Sequence, residues 1–479
     1  MSDVLQWMMS GLLAAFFVAA NIANLSLLLD KTEREEGKRS SPIVFAGGIA
    51  GAIALAIAPY EPFNDYFWVP LLIDLGTGPF LLFFAVIAAY QALSAGAWLR
   101  HVPFVRYLIK PEVVPPRAPY PKERAIVGCI LGTAVGDAMG LVYEGLSRQR
   151  QLRMFSAIEG YRFLCNKGFT SDDTEHTCML AQALIETGNY HIDYVEKKFV
   201  ANFAWRLRFW LLGLPAGIGM ATLKAILKLW LGFTGRLSGI HSAGNAPAMR
   251  SALIGVCYGE DAVKMKLLTR AATRITHVDP DAEHGALAVA LAAHLAATCA
   301  DDILPPEYLR TLQGLIGAET KFATLVRDVC ESIARGEGAT QYAERIGCGR
   351  GVTGYVCHTV PVALHVWLTH QSDYRSAVVT VIRLGGDTDT AAAIVGAIVG
   401  ARVGKEGIPA DWLRDLWEWP RTVQWMETLG TVLALHCAGH SVGGSVPVSL
   451  FPLLIRNIFF MVLVLMHGFR RLLPPYGLR

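Results

Sequence analysis

The chain has 479 residues, of which 53% are hydrophobic and only 17% are charged, a composition too apolar for an ordinary soluble protein of this length. Its formal net charge of +3 gives no basis for a nucleic-acid partner. The nine cysteines form no CxxC motif and no regular framework, which favours buried thiols in a reducing compartment over a disulfide scaffold.

Three stretches near the N-terminus contain no charged residue. They are Val4 to Leu29, Pro42 to Tyr60 and Leu75 to Leu99, and each is long enough or nearly so to cross about 30 Å of hydrocarbon as a helix. The first has no Lys or Arg before it and is too long for a cleaved signal peptide. The sequence therefore predicts a membrane region over residues 1–110 with three transmembrane helices.

The loops between these stretches predict their orientation. The first loop carries four basic residues between positions 31 and 39, the second has two acids and no base, and the chain after Leu99 is basic. The positive-inside rule then places the rest of the chain in the cytoplasm, below a multi-pass inner membrane region. Five prolines between Pro111 and Pro121 indicate a linker over residues 111–123.

The next element is an apolar helix with glycine at positions 128, 132, 136 and 140. This spacing leaves one helix face without side chains, which allows the close approach of a second helix. Asp137 lies inside the same helix, where a buried carboxylate needs a partner or a metal, and we expect a hydrogen-bonded structural acid. Glu144 follows one turn beyond Gly140, where ligation or catalysis and plain solvation are equally compatible with its position.

Two acidic clusters follow, SDDT at residues 171–174 and GGDTDT at residues 385–390. The first precedes an apolar pattern typical of a helix, so helix capping is one interpretation of its acids. The second opens a Gly/Ala-rich run, residues 391–401, that must pack closely against another helix. Each cluster offers two carboxylates and hydroxyls without His or Cys, which suits a hard divalent cation such as Mg²⁺. The two clusters predict two metals, or one shared site.

The stretch from Val446 to Met466 is again apolar but carries Arg456 and Asn457 at its centre. A central arginine is costly in a spanning helix. We therefore predict that residues 441–479 lie on or dip into the cytoplasmic face of the membrane, with Arg470 and Arg471 near lipid head groups, and a fourth span is the alternative. The middle of the chain shows helical runs without sustained strand alternation, which predicts an all-α fold.

These segments, taken together and in this order, resemble the ADP-ribosylglycohydrolase family, whose members remove ADP-ribose from modified proteins. The resemblance extends to Ser242 to Arg250, similar to the family's ribose-phosphate loop, to Thr276-His277, and to Gly354 to Ala363 before the last metal motif. It implies a compact helical catalytic domain over residues 124–440. The sequence departs from the family pattern at Ser171, His241 and Ala246-Pro247.

The resemblance also implies a binuclear Mg²⁺ site in which Mn²⁺ can substitute. The metal ligands would be Ser171, Asp172, Asp173, Asp387, Asp389 and Thr390. The candidate acids and bases are Asp389, Asp172 and Glu144. The substrate would contact Ser242, Gly244, Asn245 and His277, although an interior histidine is as often a satisfied structural residue.

The chemistry of such a site fits glycosidic cleavage. Two metals can grip the vicinal hydroxyls of a ribose and orient a water toward the anomeric carbon, while a carboxylate handles a proton. A glycine-containing loop, residues 242–245, can offer backbone donors to a pyrophosphate. We therefore predict a membrane-anchored, Mg²⁺-dependent hydrolase that removes ADP-ribose from a modified protein, with protection against an ADP-ribosylating toxin as one role.

Two other classes share part of this pattern. Asp387-Thr388-Asp389 after an apolar run is similar to the start of a haloacid-dehalogenase-type phosphatase, but the remaining acids of that fold should lie downstream, and here they lie upstream. A catalytically silent membrane receptor that binds ADP-ribose or a nucleotide is the other alternative. Both acidic clusters are intact, which favours turnover.

Overall fold

The structure, a computed structural model, describes residues 3–29, 46–58, 69–70, 122–155, 157–187, 192–448 and 450–472. These residues contain twenty α-helices, one 3₁₀ helix and only isolated β-bridges, which confirms the all-α prediction for this part of the chain. The chain divides into two compact units, one comprising residues 1–110 with 214–220, and the other comprising the rest.

In the first unit, α1 (Asp3–Leu29) packs against α2 (Ala46–Ile57). The Ser10 hydroxyl donates a hydrogen bond of 2.7 Å to the carbonyl oxygen of Ala54, which joins the two helices. The predicted first span is thus a helix, and α2 covers 12 residues of the second. The third predicted span and the proline-rich segment lie outside the described residues.

The remaining helices, in chain order, are α3 (Glu123–Gly140), α4 (Arg148–Met154), α5 (Asp172–Thr187), α6 (Ile192–Leu212), α7 (Met220–Trp230), α8 (Ala246–Met249), α9 (Ala252–Tyr258), α10 (Ala262–Arg274), α11 (Pro280–Thr298), α12 (Pro305–Ile316), α13 (Lys321–Ala334), α14 (Ala339–Arg345), α15 (Val356–Thr369), α16 (Tyr374–Ile382), α17 (Thr388–Gly407), α18 (Ala410–Asp415), α19 (Val423–Cys437) and α20 (Leu450–Leu472). A 3₁₀ helix, Leu141–Tyr143, follows α3.

Helices α3 and α17 form the centre of the second unit. The four glycines of α3 lie directly against the backbone of α17, because a Cβ atom on any of them would come within 2.1–2.3 Å of a carbonyl oxygen there. The oxygens that face Gly128, Gly132, Gly136 and Gly140 belong to Gly400, Gly396, Ala392 and Thr388, respectively. The glycine spacing therefore has the predicted role, and the contact places the C-terminal end of α3 beside the N-terminal end of α17.

Two helices of the described residues are long and apolar enough to cross a membrane, judged by length and composition alone. The helical stretch Glu123–Tyr143 is wholly buried in the second unit, and Pro452–Phe469 is one-third buried. Neither is one of the predicted N-terminal spans, so the three-span region stays a prediction.

Helix α20 belongs to the second unit. Arg456 and Asn457, at its centre, are each only 2% exposed and are hydrogen-bonded to other parts of this unit. Protein groups accept hydrogen bonds from both side chains, and a membrane-associated position of residues 441–479 stays a prediction. The opposite side of α20 exposes a row of apolar residues: Ile455, Ile458, Val462, Met466 and Phe469.

Candidate active site

Asp137 of α3 organises the start of α5. Its two carboxylate oxygens accept hydrogen bonds of 3.0 and 2.9 Å from the backbone N–H of Ser171. The backbone N–H and the hydroxyl of Thr174 donate to Oδ2 at 3.2 and 2.5 Å. Asp137 is therefore the hydrogen-bonded acid that the sequence predicts, and it fixes the SDDT segment against α3.

Asp137 also belongs to a cluster that could hold a metal ion, a role that the sequence analysis did not assign to it. Asp137, Asp173 and Asp389 are all buried, and each offers an oxygen atom within 4.8 Å of the others. The Oδ1 atoms of Asp173 and Asp389 are buried without a hydrogen-bond partner. Buried carboxylate oxygens are rarely left unpaired, so these two atoms fit metal ligands that point into a shared site.

The two predicted hydroxyl ligands lie at this cluster. The hydroxyl of Ser171 donates to Asp173 Oδ2 at 3.1 Å, and that of Thr390 donates to the same oxygen at 3.2 Å. Since Ser171 precedes α5 and Thr390 lies in the first turn of α17, the two acidic clusters meet in one place. This arrangement favours a shared site over two distant ones.

The glycine pair before Asp387 allows the backbone turn that positions the second acidic cluster beside the first. Gly385 and Gly386 have positive φ angles of 73° and 84°, a region that side chains disfavour. Gly386 threads between two segments, since its N–H donates to Leu146 O at 2.8 Å and a Cβ atom on it would come within 1.9 Å of Val352 O. Only glycine fits this crossing, which turns the chain into α17 with Asp387 at its start.

Burial raises the pKa of Asp137 and of all four aspartates in the two acidic clusters. The pKa of Asp137 rises to about 6, with the hydrogen bonds from Thr174 and Ser171 opposing the effect of burial. Burial, reinforced by neighbouring carboxylates, raises the pKa values of Asp172, Asp173 and Asp389 well above their usual range, and burial also raises that of Asp387. Within the described residues no lysine, arginine or histidine forms an ion pair with these five acids. A divalent cation would supply the missing positive charge.

Glu144 lies near both acidic clusters. It follows the 3₁₀ helix at the end of α3 and is exposed. Its charge contributes to the raised pKa values of both Asp172 and Asp389, so its carboxylate is within electrostatic reach of each. The three predicted acids or bases are therefore neighbours.

The predicted substrate loop adjoins the second cluster. The side-chain amide of Asn245 donates to Asp387 Oδ2 at 2.6 Å and to the hydroxyl of Thr359 at 3.1 Å, and its backbone N–H donates to Gly354 O at 3.0 Å. Asn245 thus holds Asp387 as well as lying in the loop. A carboxylate held in this way keeps a defined orientation toward the acidic cluster.

Ser242, Gly244 and His277 lie together beside this loop. A Cβ atom on Gly244 would come within 2.9 Å of the Nε2 atom of His277 and 3.4 Å of the Ser242 hydroxyl. His277 is 2% exposed, and its Nδ1 atom lies 2.9 Å from the hydroxyl of Thr276. The structure therefore brings together all four residues that the resemblance assigns to substrate binding.

Arg250 is a buried cation that sequence reasoning did not single out. Its guanidinium donates to His176 Nδ1 at 3.0 Å, to the hydroxyl of Thr276 at 2.7 Å and to Ala272 O at 3.0 Å. Burial lowers its pKa to about 9. It joins α5 to the turn that carries His277, and its only sequence signal is its place at the end of the Ser242 to Arg250 segment.

Comparison with known proteins identifies the family of the chain. Residues 118–441 match the family model of the ADP-ribosylglycohydrolases. The chain therefore belongs to the ADP-ribosylglycohydrolase family and is a glycosidase-type hydrolase. This confirms the resemblance and replaces both the phosphatase and the silent-receptor alternatives. Residues 1–117 and 442–479 lie outside the match.

Individual relatives agree with this assignment. A protein from Archaeoglobus fulgidus is 30% identical over 321 residues, covering 65% of this chain and 96% of that protein. The ADP-ribosyl-[dinitrogen reductase] glycohydrolase of Rhodospirillum rubrum is 24% identical over 302 residues, covering 61% and 90%. A solved structure described as an ADP-ribosylglycohydrolase-related protein complex aligns with a TM-score of 0.50 and 27% identity, over 66% of this chain and 99% of that one.

Proposed function

We propose that this protein is a Mg²⁺-dependent hydrolase that cleaves the glycosidic bond between ADP-ribose and a modified protein. The observation that carries the proposal is the buried triad of Asp137, Asp173 and Asp389, with two unpaired oxygen atoms, beside the loop of Asn245. The name of the Rhodospirillum rubrum relative specifies a modified protein as its substrate, which supports the same kind of substrate here.

The donor set favours Mg²⁺, with Mn²⁺ as a substitute, because every candidate ligand is a carboxylate or hydroxyl oxygen. The ligands predicted from sequence are Ser171, Asp172, Asp173, Asp387, Asp389 and Thr390, and the geometry adds Asp137. Seven candidates exceed what one Mg²⁺ with several waters requires, which supports two ions. Bound Mg²⁺ would act as a Lewis acid toward the ribose hydroxyls and would balance the negative charge of the site.

The exposure of the acidic side chains indicates which of them can transfer a proton. Glu144 is exposed and Asp172 is half-buried, so both can exchange a proton with solvent, whereas Asp389 is only 5% exposed. We assign the proton acceptor for the attacking water to Glu144 or Asp172 and a ligand role to Asp389. Ser242, Gly244 and His277 would contact the ribose-phosphate part of the substrate.

We also propose that the enzyme works at the cytoplasmic face of the inner membrane. The charge-free stretches near the N-terminus, the exposed apolar residues of α1 and the exposed apolar row of α20 support this location. A tether raises the effective concentration of the enzyme near membrane proteins and incoming material. Its role there would be to reverse ADP-ribosylation of a membrane-associated target or that caused by a toxin.

The test uses the detergent-solubilised full-length protein with arginine-, serine- and DNA-linked ADP-ribose. We expect release of ADP-ribose from at least one protein-type linkage, complete loss of activity after EDTA treatment, and recovery with Mg²⁺ or Mn²⁺. Activity that survives exhaustive EDTA treatment, or that Zn²⁺ alone restores, would contradict metal dependence of the proposed kind. In cells, a variant lacking residues 1–115 should clear modified membrane proteins less well than the full-length enzyme. Equal clearance would argue against the local role.

A further inference from the structure

Helix α20 lies outside the family match yet contacts the segment that leads into the acidic cluster. The match ends at residue 441, and α20 begins at Leu450. One side of α20 is exposed and apolar, but Arg456 on the other side reaches the residue before Ser171. The helix therefore connects a part of the chain beyond the family region to the proposed metal ligands.

Arg456 and Glu418 together hold every polar group of Thr170. The Arg456 guanidinium donates to Thr170 O at 2.6 Å and to Glu418 Oε2 at 2.7 Å. The same Glu418 oxygen accepts hydrogen bonds from the Thr170 N–H at 3.1 Å and from its hydroxyl at 2.9 Å. Because Asp137 holds the next backbone N–H, that of Ser171, the entry to α5 is fixed from two sides.

Arg456 also faces the first turn of α5 through Glu175. Glu175 Oε1 lies 3.7 Å from Arg456 and accepts a hydrogen bond of 2.7 Å from Arg421, while its other oxygen accepts one from the Trp210 indole. The side chains of these two arginines and of Glu175 and Glu418 are all at most 5% exposed. Two acids and two bases thus form a neutral buried network around the SDDT segment.

We infer that α20 is a positioning element for the catalytic site, and that Arg456 acts through Thr170 and Glu418 to fix Ser171, Asp172 and Asp173. The inference rests on the proposed metal-dependent function. Groups that orient metal ligands typically contribute 10- to 100-fold to metal affinity or activity, although they do not touch the metal. Arg456 is suited to this task because its planar guanidinium makes several directed hydrogen bonds at once.

Other residues of α20 allow the packing of this helix to be tested separately from the hydrogen bonds of Arg456. Asn457 donates to Gly213 O at 2.6 Å, on a different segment from Thr170. Leu463 is 4% exposed and contributes apolar contact on the docked side. A change at Leu463 should therefore loosen the docking of α20 while leaving the hydrogen bonds of Arg456 to Thr170 in place.

The experiment measures Mn²⁺ affinity by titration of the metal-free full-length protein in detergent. We expect Arg456→Met to weaken Mn²⁺ binding by about 10- to 100-fold. Arg456→Lys should lie between this variant and the wild type, because lysine keeps the charge but cannot make all the contacts. Leu463→Ala, the matched control on the same helix, should lower the unfolding temperature but change Mn²⁺ affinity by less than about twofold.

A second variant and a second readout guard against misfolding of Arg456→Met. Glu418→Met combined with Arg456→Met removes both charges and all their hydrogen bonds to Thr170, and it leaves no unpaired buried charge between them. Hydrogen exchange of the metal-free protein should then accelerate at residues 170–175 in this double variant and not in Leu463→Ala.

The outcomes separate the inference from the proposed function. Wild-type Mn²⁺ affinity in the double variant, or equal loss in Leu463→Ala, would overturn the positioning role of Arg456. A wild-type protein that binds no Mn²⁺ would instead overturn the metal-dependent function on which the inference rests.

Discussion

Two charge clusters meet within one turn of α5, and they differ in whether their charges are balanced. The candidate metal cluster has Asp173 as a member, and none of its acids forms an ion pair with a base among the described residues. The network around Glu175, two residues further along, balances two acids with two arginines. Both clusters are buried, so exposure does not explain the difference between them.

The pKa values follow this difference in charge balance. Burial raises the pKa of Asp173 far above its usual range, and the nearby carboxylates raise it further. Burial would also raise the pKa of Glu175, but Arg421, Arg456 and Trp210 together lower it below its usual value. Each charge of a balanced buried network is compensated within the protein, whereas an unbalanced cluster is completed by a ligand of opposite charge. The comparison therefore separates a charge-balanced cluster from one that could hold a metal ion.

The largest predicted effect is on the unbalanced cluster. Asp387→Asn and Asp172→Asn should each lower turnover by on the order of 10³-fold or more, because each removes a charge that the metal requires. Initial rates with saturating Mg²⁺ measure this. Asp411→Asn is the matched control, since Asp411 is half-exposed and pairs with Arg375 away from the site. An Asp387→Asn enzyme with near wild-type turnover would refute the metal assignment.

A change in the balanced network around Glu175 should lower the stability of the protein. Glu175→Gln leaves Arg421 without its closest carboxylate in a buried setting, so we expect the free energy of unfolding to fall by about 3–5 kcal/mol. Denaturant titration of the detergent-solubilised protein measures this change. If Glu175→Gln proves as stable as the wild type, the network does not hold α5 in the way that its geometry indicates.

The raised pKa values of the unbalanced cluster should also make the stability of the protein depend on pH. A raised pKa contributes stability that is complete below the ordinary pKa of the acid and is lost as the pH rises through the folded-state value. For Asp137, whose pKa rises from 3.8 to about 6, the loss amounts to about 3 kcal/mol. The difference in stability between the wild type and Asp137→Asn, measured without metal, should therefore shift by this amount against the wild type between about pH 4 and pH 7, and Mg²⁺ should reduce that shift. A difference that does not change with pH, or that shifts in favour of the wild type, would contradict the assignment.

The sequence alone predicts the parts of the site that are encoded locally. Glycines at every fourth position predict the close contact of α3 with α17, and the SDDT and GGDTDT segments predict the acidic ligands. Residues far apart in sequence decide the rest. Arg421 lies 246 residues from Glu175, and Arg456 lies 286 residues from Thr170, so no local pattern joins them.

The same limit explains the interpretation of α20. An arginine inside an apolar helix costs free energy if the helix is surrounded by lipid. In the folded chain Arg456 donates hydrogen bonds to Thr170 and Glu418, and the opposite side of the helix is apolar and exposed. The position of Asp137 beside Asp173 and Asp389 could not be predicted for a related reason, because its distance to Asp389 depends on the packing of α3 against α17.

The most direct test of the proposed metal site is the binding of Mn²⁺ to the metal-free full-length protein, measured by calorimetric titration for the wild type and for Asp173→Asn. We expect two ions per chain for the wild type and a loss of binding in Asp173→Asn, with the Asp411→Asn control unchanged. Absence of binding to the wild type, or equal binding by Asp173→Asn, would show that the unbalanced acids are not a metal site.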